Sequence, residues 1–288
     1  MPELPEVETI RRGLKRLILN KKIIRVKINA EKSFRGDKDK LVGAEIIDVQ
    51  RRGKAMIMPL RDAKEQYYLM AHMRMTGQMV VLPPKGAKRF SAGHPSADFF
   101  NTEPGKHTRV EIYFIDGTKL FFNDLRKFGF LKVLDEDELK NDAFLTSLGE
   151  EPDKMQKAHF WQMLQRHQKA PIKAVLLDQK NIAGVGNIYA DEGCFAAKIL
   201  PMRKTGTLTR AEADALLDGI VAVMRRSIES GGSTMKDYVK ADGTRGDYLT
   251  KFAQVFRRQG EKCRRCGVEI KKTRVAGRGT HYCPGCQK

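Results

Sequence analysis

The chain has 288 residues, 41% of them hydrophobic and 31% charged, which is typical of a globular protein with room for two domains. Lysine and arginine outnumber aspartate and glutamate by 54 to 35, and the formal net charge of +19 indicates a polyanionic partner, nucleic acid before a membrane surface. No apolar run approaches membrane-spanning length, and charges in the first dozen residues exclude a secretory signal, so we expect a cytosolic protein that does not bind membranes.

The first residues, Met1, Pro2 and Glu3, contain a candidate covalent catalyst. A proline at the second position permits removal of Met1, which would leave a secondary amine with a pKa of about 7.7–8.0. Such an amine can condense with a sugar aldehyde carbon to give an iminium ion. Taken alone, Met-Pro is also simply a way for a chain to start, and the mechanism depends on the removal of Met1.

Periodicity predicts a helix over 5–18, followed by a series of short strands. The helix would begin just after Pro2 and Glu3. Eight apolar runs separated by turns predict a β-sandwich: 23–28, 44–49, 55–60, 67–70, 78–82, 109–115, 119–122 and 129–134. The segment from Pro83 to His107 is rich in Gly, Pro and Ser, contains Phe90, Phe99 and Phe100, and is too long for a hairpin connection. We predict that it forms a mobile excursion or a small subdomain.

Helical patterns predominate after the acidic segment 135–142. They cover 159–168, 172–179, 188–197 and 210–229. The last begins at a Thr209–Glu212 capping box and stops at Gly231 and Gly232. Cys194 stands alone in an apolar helical context and is predicted to be a core residue. We therefore expect a sandwich domain over 1–134, a linker over 135–152, a helical domain over 153–262 and a cysteine module over 263–288.

The remaining four cysteines form two CxxC pairs separated by sixteen residues, a spacing that predicts one structural Zn²⁺ site. The ligands would be Cys263, Cys266, Cys283 and Cys286, with disulfides as the alternative. His281 is predicted not to be a ligand, because four thiolates already complete a tetrahedral site. The intervening residues suit a β-hairpin, and the segment from Lys251 to Lys288 carries eleven basic and two acidic residues, a net +9. We expect this hairpin to contact nucleic acid.

A second candidate for phosphate binding lies between two predicted helices. Gly184, Gly186 and Asn187 immediately precede a helical pattern, where backbone amides and the helix dipole favour an anion. Lys173 in the preceding helix could reach the same phosphate. The alternative is a glycine turn that serves only tight packing.

Three stretches of the chain strongly resemble the formamidopyrimidine-DNA glycosylase family: MPELPEVETIRRGL, LLDQKNIAGVGNIYADE and GRGTHYCPGCQ. The resemblance covers nearly the whole chain in the same order. It implies an α+β fold with an N-terminal β-sandwich and flanking helices, then a helix–two-turns–helix domain with the zinc hairpin. It also implies a monomeric enzyme of the bacterial cytosol, needing no other cofactor, that acts on damaged double-stranded DNA. Such an enzyme excises 8-oxoguanine and formamidopyrimidines and cleaves the abasic strand by β,δ-elimination.

The same resemblance implies roles for individual residues. Pro2 would attack the anomeric carbon, Glu3 would act as acid and base, and Lys54 would sit at the DNA phosphates and assist elimination. Met75, Arg126 and Phe128 would fill the gap left by the everted nucleotide, which suits a flexible thioether, a planar donor and an apolar wedge. The expected DNA-contact residues are His72, Met75, Arg109, Arg126, Phe128, Lys173, Asn187 and Arg278. The segment 231–243 resembles the family's lesion-capping loop, with a plain linker as the alternative.

Two features depart from the family pattern, and two other functions remain open. The segment from Pro83 to His107 is longer than usual, and Arg257 stands where relatives usually have glycine. One alternative function is excision of oxidised pyrimidines by the same Pro-Glu chemistry, against which the PELPEVET opening and the complete triad argue. The other is a non-catalytic zinc-finger DNA-binding protein, against which Pro2, Glu3 and Lys54 argue.

Overall fold

The computed structural model describes residues 1–62, 65–84, 89–93, 104–232 and 248–288. The chain divides into two compact units. The first contains Met1–Thr146 with Gly231–Asp247, and the second contains Ser147–Ser230 with Tyr248–Lys288. The predicted linker is not a separate element, because its first part, with two short helices, belongs to the first unit. No helix in the described part of the chain is long and apolar enough to cross a membrane.

The first unit opens with the predicted helix, α1 (Leu4–Ile18). Pro5 lies in its first turn, where a missing backbone N–H costs nothing, and Glu6 faces the positive end of the helix dipole. Val7, Ile10 and Leu14 recur at helical spacing and are fully buried. This apolar face joins the core of the sandwich, so packing against the sheets fixes the start of the helix.

Two sheets form the predicted sandwich, with a single apolar core drawn from both. Strands of the first unit are β1 (Ile23–Ile28), β2 (Phe34–Arg35), β3 (Glu45–Ile46), β4 (Gln50–Arg52), β5 (Ala55–Arg61), β6 (Gln66–His72), β7 (Gly77–Leu82), β8 (Phe90–Gly93), β9 (Thr108–Phe114), β10 (Lys119–Asp124) and β11 (Phe130–Leu134). One sheet has the order β1-β9-β10-β7-β8, the other β2-β11-β6-β5-β3, with β4 also paired to β5. Pairing is antiparallel except between β2 and β11.

Two connections cross between the sheets at the same end of the sandwich. The β6–β7 connection carries Met75, and the β10–β11 connection carries Arg126 and Phe128. Gly129 lies where they meet, since a Cβ atom there would fall 2.9 Å from the carbonyl oxygen of His72 and 3.1 Å from that of Met73. Only a residue without a side chain allows this approach.

The segment from Pro83 to His107 contains a regular strand, β8, that the sequence did not predict. β8 pairs antiparallel with β7 at the edge of the sheet. Phe90 in β8 is buried and packs against α1, where a Cβ atom at Gly13 would lie 2.3 Å from its ring. The part of the segment that the structure describes therefore extends the sheet. Phe99 and Phe100 lie outside the described residues.

Helices follow the sandwich: α2 (Glu136–Lys140), α3 (Ala143–Thr146), α4 (Lys157–Gln165), α5 (Ile172–Leu177), α6 (Asn187–Ala196) and α7 (Arg210–Glu229). The last four, in the second unit, were predicted with boundaries shifted by at most three residues. The Thr209–Glu212 capping box at the start of α7 is confirmed. Cys194 is fully buried, and burial raises the pKa of its thiol, as expected for a core residue.

The cysteine module forms the predicted hairpin, β12 (Lys271–Val275) and β13 (Arg278–Tyr282). Cys263 and Cys283 pack with Phe195, Val255 and Ile270 in a small core shared with the end of α6. Arg257 has a φ of 61°, in the left-handed region that favours glycine. This backbone conformation explains why glycine suits the position.

Candidate active site and nucleic-acid interface

Pro2 and Glu3 lie buried at the start of α1. Glu3 is the residue that precedes the first helical turn, and its backbone N–H donates a hydrogen bond to Glu6 Oε2 at 2.9 Å. Gly232, at the start of the predicted lesion-capping segment, lies beside the same turn, where a Cβ atom would be 3.6 Å from Glu6 Cα. The rest of that segment, residues 233–243, lies outside the described residues.

The start of α1 is joined to the turn that carries Lys54 through the buried carboxylate of Glu8. Glu8 forms ion pairs at 2.8–3.2 Å with three arginines, Arg11, Arg12 and Arg51. Burial opposes the charged form, yet these arginines lower the pKa of Glu8 to about 2, so the carboxylate is ionised at neutral pH. Arg51 also donates to the Gly53 carbonyl at 3.2 Å, one residue before Lys54. Hydrogen bonds therefore connect the helix of Pro2 and Glu3 with the Lys54 turn.

His72, expected along the DNA groove, is buried against the β6–β7 connection. Its Nδ1 accepts the Arg74 backbone N–H at 3.0 Å, and its ring packs edge-on against Phe144. Burial, followed by the positive charges of Arg74 and Lys54, lowers the pKa of His72 to about 3. The neutral imidazole thus supports the turn before Met75, and no charged imidazole is available to a phosphate at neutral pH.

This burial predicts a pH-dependent stability. The unfolded state takes up a proton near pH 6.5 but the folded state only near pH 3, so stability is complete above 6.5 and falls as the pH drops toward 3. We expect His72→Gln to reduce the loss in thermal midpoint between pH 7 and pH 5 relative to the unchanged protein. The matched control is His159→Gln, because the His159 side chain is 43% exposed. An equal loss in both variants would contradict the assignment.

Met75, Arg126 and Phe128 come together at the tips of the two crossing connections. Arg126 Nη1 lies 3.4 Å from Met75 Sδ, and the Arg126 guanidinium carbon lies 4.7 Å from the centre of the Phe128 ring. Met75 is 41% exposed and Phe128 is 52% exposed, although both are large and apolar. The arrangement presents an apolar pair with a planar donor between them, which is the chemistry needed to enter a base stack.

Arg109, also expected at the DNA, is largely buried behind these connections. Its Nε donates to the Asp124 carbonyl at 2.7 Å and its Nη1 to the Lys106 carbonyl at 3.2 Å. Arg109 therefore supports the backbone at the end of β10.

In the second unit, Lys173 does not fit the expected phosphate contact. Its side chain is fully buried, and its ammonium pairs with Asp191 at 2.6 Å and donates to Thr280 Oγ1 at 2.9 Å and the Gly279 carbonyl at 3.0 Å. Asp191 in turn accepts the His281 backbone N–H at 2.9 Å. An ammonium with three protein partners has no donor left for DNA. Lys173 instead joins α5 and α6 to the zinc hairpin.

We predict that this buried pair is a large contributor to stability. Asp191→Asn would leave a buried ammonium without its counter-charge, and we expect a loss of about 3–5 kcal/mol in unfolding free energy. The control is Asp218→Asn, which breaks the exposed ion pair with Lys157 and should leave the denaturation midpoint unchanged. A small effect at Asp191, comparable to that at Asp218, would contradict the prediction when measured by chemical denaturation.

Asn187 and Arg278 lie on either side of Gly279 in the second unit. Asn187, the first residue of α6, donates from Nδ2 to the Gly279 carbonyl at 3.1 Å, and its Oδ1 is buried with no hydrogen-bond partner among the described residues. Arg278 is exposed at the start of β13. The structure therefore brings together the N-terminus of α6 and a basic hairpin residue.

The four clustered cysteines form the metal centre. Their Sγ atoms all lie within 4.8 Å of one another, with 3.8 Å between Cys263 and Cys286 and 3.4 Å between Cys266 and Cys283. A tetrahedral ion with Zn–S bonds of about 2.3 Å requires sulfur separations of about 3.8 Å. The donor set therefore fits a single structural Zn²⁺, and His281 is turned toward Asp191.

Three supporting residues were not predicted from the sequence: Thr76 and Asp124 in the first unit and Asp191 in the second. Asp191 belongs to the stretch LLDQKNIAGVGNIYADE, in which no neighbouring residue suggests a partner for its carboxylate. Asp124 precedes the turn that ends at Gly129, and an aspartate before a turn is a known signal for a side-chain bond to the turn backbone. That signal could have found Asp124, whereas its contact with Thr76 requires the fold.

Comparison with known proteins agrees with this architecture over the whole chain. The family model of the formamidopyrimidine-DNA glycosylase N-terminal domain matches residues 1–131, and that of its H2TH domain matches 148–239. A zinc finger found in FPG and IleRS matches 260–288. The formamidopyrimidine-DNA glycosylase of Streptococcus pneumoniae R6 is 39% identical, covering 100% of this chain and 99% of the relative. That of Geobacillus kaustophilus is 40% identical and covers both chains fully.

Solved structures of the same class are also similar. A complex of wild-type Lactococcus lactis Fpg (MutM) with DNA containing N7-benzyl-Fapy-dG has a TM-score of 0.84 at 33% identity, covering 100% of each chain. A complex of that protein with abasic-site DNA has a TM-score of 0.83 at 34% identity, covering 99% of each chain.

The fold, the zinc finger and these similarities define a DNA-repair enzyme of the glycosylase class. The chain belongs to the formamidopyrimidine-DNA glycosylase family. It is accordingly a DNA glycosylase with AP lyase activity and one structural zinc site.

Proposed function

We propose that the enzyme removes 8-oxoguanine and formamidopyrimidine bases from duplex DNA through a Schiff base at Pro2, and then cleaves the strand by β,δ-elimination. The Pro2 nitrogen forms a bond to the anomeric carbon while the glycosidic bond breaks and its electron pair leaves with the base. Glu3 protonates the sugar ring oxygen as the ring opens to an iminium ion. Loss of a C2′ proton then expels the 3′-phosphate, and a second elimination expels the 5′-phosphate, assisted by Lys54.

One observation supports this proposal: hydrogen bonds link the helix that follows Pro2 and Glu3 to the turn that carries Lys54. Pro2 and Glu3 begin α1, and Glu8 and Arg51 connect that helix to the Gly53–Lys54 turn. Pro2 and Lys54 are both buried, so each occupies a defined position. The reaction requires removal of Met1, because the Pro2 nitrogen is an amide until that residue leaves.

DNA recognition is assigned to two surfaces, one in each unit. In the first unit Met75, Arg126 and Phe128 would enter the duplex where the damaged nucleotide leaves the stack. In the second unit Asn187, the backbone amides at the start of α6 and Arg278 would bind phosphates. Complexes of the Lactococcus lactis relative with DNA containing Fapy-dG derivatives or an abasic site support this class of substrate.

The test is borohydride trapping with duplex DNA carrying 8-oxoguanine opposite cytosine, followed by mass mapping of the cross-linked peptide. We expect one covalent adduct, at the nitrogen of Pro2, in protein shown to lack Met1. Protein engineered to retain a residue before Pro2 is the matched control and should give none. An adduct at a lysine, or no adduct from protein lacking Met1, would refute the mechanism.

Excision of oxidised pyrimidines is a second candidate substrate range. A complex of wild-type Lactococcus lactis Fpg with DNA containing an oxidised pyrimidine, at a TM-score of 0.84 and 34% identity, favours it. The same trapping experiment with an oxidised pyrimidine in place of 8-oxoguanine separates the two. Faster trapping with the pyrimidine would make that lesion the preferred one.

A further inference from the structure

Asp124 is a completely buried carboxylate that the proposed chemistry does not use. Its Oδ2 accepts the Gly129 backbone N–H at 2.7 Å, and its Oδ1 accepts the Arg126 backbone N–H at 3.2 Å. The turn that presents Arg126 and Phe128 is thus folded around one carboxylate. Two backbone N–H groups of one turn thus share a single buried acceptor side chain, which gives the turn an internal support.

Thr76 extends this support to the other crossing connection. Its hydroxyl donates to Asp124 Oδ1 and accepts the Arg126 backbone N–H at 3.1 Å. Thr76 directly follows Met75 in the chain and is itself buried. A single hydroxyl therefore joins the backbone beside Met75 to the turn that carries Arg126 and Phe128.

Two of the side chains supported in this way are apolar groups whose exposure to water costs free energy. Met75 and Phe128 are about half exposed, and Arg74 and Lys127, next to them in the chain, have positive φ values of 49° and 55°. Exposed apolar groups and left-handed non-glycine backbone both cost free energy. The buried hydrogen bonds beneath them offset this cost and hold the exposed groups in one arrangement.

We propose that Asp124 and Thr76 are positioning residues, a buried clamp that sets the relative placement of Met75, Arg126 and Phe128 for entry into the duplex. The inference rests on the proposed function of these three side chains. The clamp would affect one part of the reaction and not the other. Filling the gap in a duplex depends on the clamp, whereas the chemistry at Pro2 does not.

The experiment uses Thr76→Val, which keeps the side-chain shape and removes the hydroxyl, and Thr76→Ser, which keeps the hydroxyl. We expect Thr76→Val to lower kcat/KM for excision of 8-oxoguanine from duplex DNA about tenfold or more. It should also reduce the preference for cytosine over adenine opposite the lesion, if Arg126 donates to the base opposite the gap as the proposed function implies. Thr76→Ser should restore both. Borohydride trapping on a single-stranded abasic oligonucleotide, which has no gap to fill, should change less than about twofold.

Thr118→Val is the matched control, because Thr118 is a buried threonine whose hydroxyl donates to Asp116 at the other end of β10. It should leave every readout at the value of the unchanged protein. Asp124→Asn, which weakens the acceptor, should follow Thr76→Val in direction, and thermal midpoints show that each variant is folded.

Three results would overturn the clamp. The first is a Thr76→Val protein with unchanged duplex excision and unchanged opposite-base preference. The second is an equal loss of duplex excision and single-strand trapping, and the third is a Thr76→Ser protein as impaired as Thr76→Val, since both would indicate a general structural defect. Failure of the proposed function looks different: the unchanged protein lacking Met1 would then form no adduct with either DNA.

Discussion

A Glu3→Gln protein is expected to bind damaged duplex DNA as tightly as the unchanged protein and to excise the base about a hundred- to ten-thousandfold more slowly. Glutamine matches the shape of glutamate but cannot transfer a proton. The backbone N–H of residue 3 still donates to Glu6, so the start of α1 keeps its conformation. The loss should therefore appear in kcat and not in the dissociation constant, measured by single-turnover excision and by equilibrium binding.

Pro2→Gly should give the same separation between binding and excision, because it replaces the secondary amine of the proposed nucleophile. Glu136→Gln is the control, since Glu136 is an exposed carboxylate at the start of α2 in the same unit. Its excision rate should not change. Excision at the normal rate by either the Pro2 or the Glu3 variant would remove both residues from the mechanism.

Loss of zinc is expected to weaken duplex binding about tenfold or more and to reduce its salt dependence. The slope of log affinity against log salt concentration should become less steep by about 0.9 for each phosphate that the protein no longer binds. Cys263 and Cys283 belong to the core that anchors the hairpin. In β13, Thr280 accepts a hydrogen bond from Lys173 and the His281 backbone N–H donates to Asp191. Without the ion four thiols remain packed together, and the hairpin loses the support that presents Arg278. Binding to undamaged duplex at several salt concentrations measures the effect.

Cys266→Ser tests the same point without a chelator, because Cys266 is exposed and its replacement disturbs the core least. The control is Cys194→Ala, which removes the cysteine outside the cluster and should retain one zinc per chain and normal binding. The Pro2 amine lies in the other unit, so trapping on single-stranded abasic DNA should persist in the Cys266 variant. Normal duplex affinity in a protein shown to lack zinc would exclude the hairpin as a DNA-binding element.

Elements with a strong local pattern could be predicted from the sequence. The spacing of Val7, Ile10 and Leu14 gave α1 within one residue, and a capping box located the start of α7. The cysteine spacing predicted the metal site because two CxxC pairs and a hairpin leave little geometric freedom. In each case the signal lies within a few residues of the structure that it forms.

Side-chain environments created by distant parts of the chain could not be predicted in this way. Lys173 looked available to a phosphate because its partner Thr280 is 107 residues away. The burial of His72 could not be foreseen, because Phe144, which packs against its ring, belongs to a helix beyond the strands. β8 was missed because its four residues sit among Gly, Pro and Ser, and only pairing with β7 makes them a strand.

The two crossing connections tie the exposed tips of the first unit to its apolar core. Each connection spans from one sheet to the other, so its ends are fixed by strands that pack on a single core. The positions of Met75 and Phe128 are thus inherited in part from that core. Residues such as Met73 and Phe122, buried beneath the connections, therefore belong to the placement of the exposed tips as much as to stability.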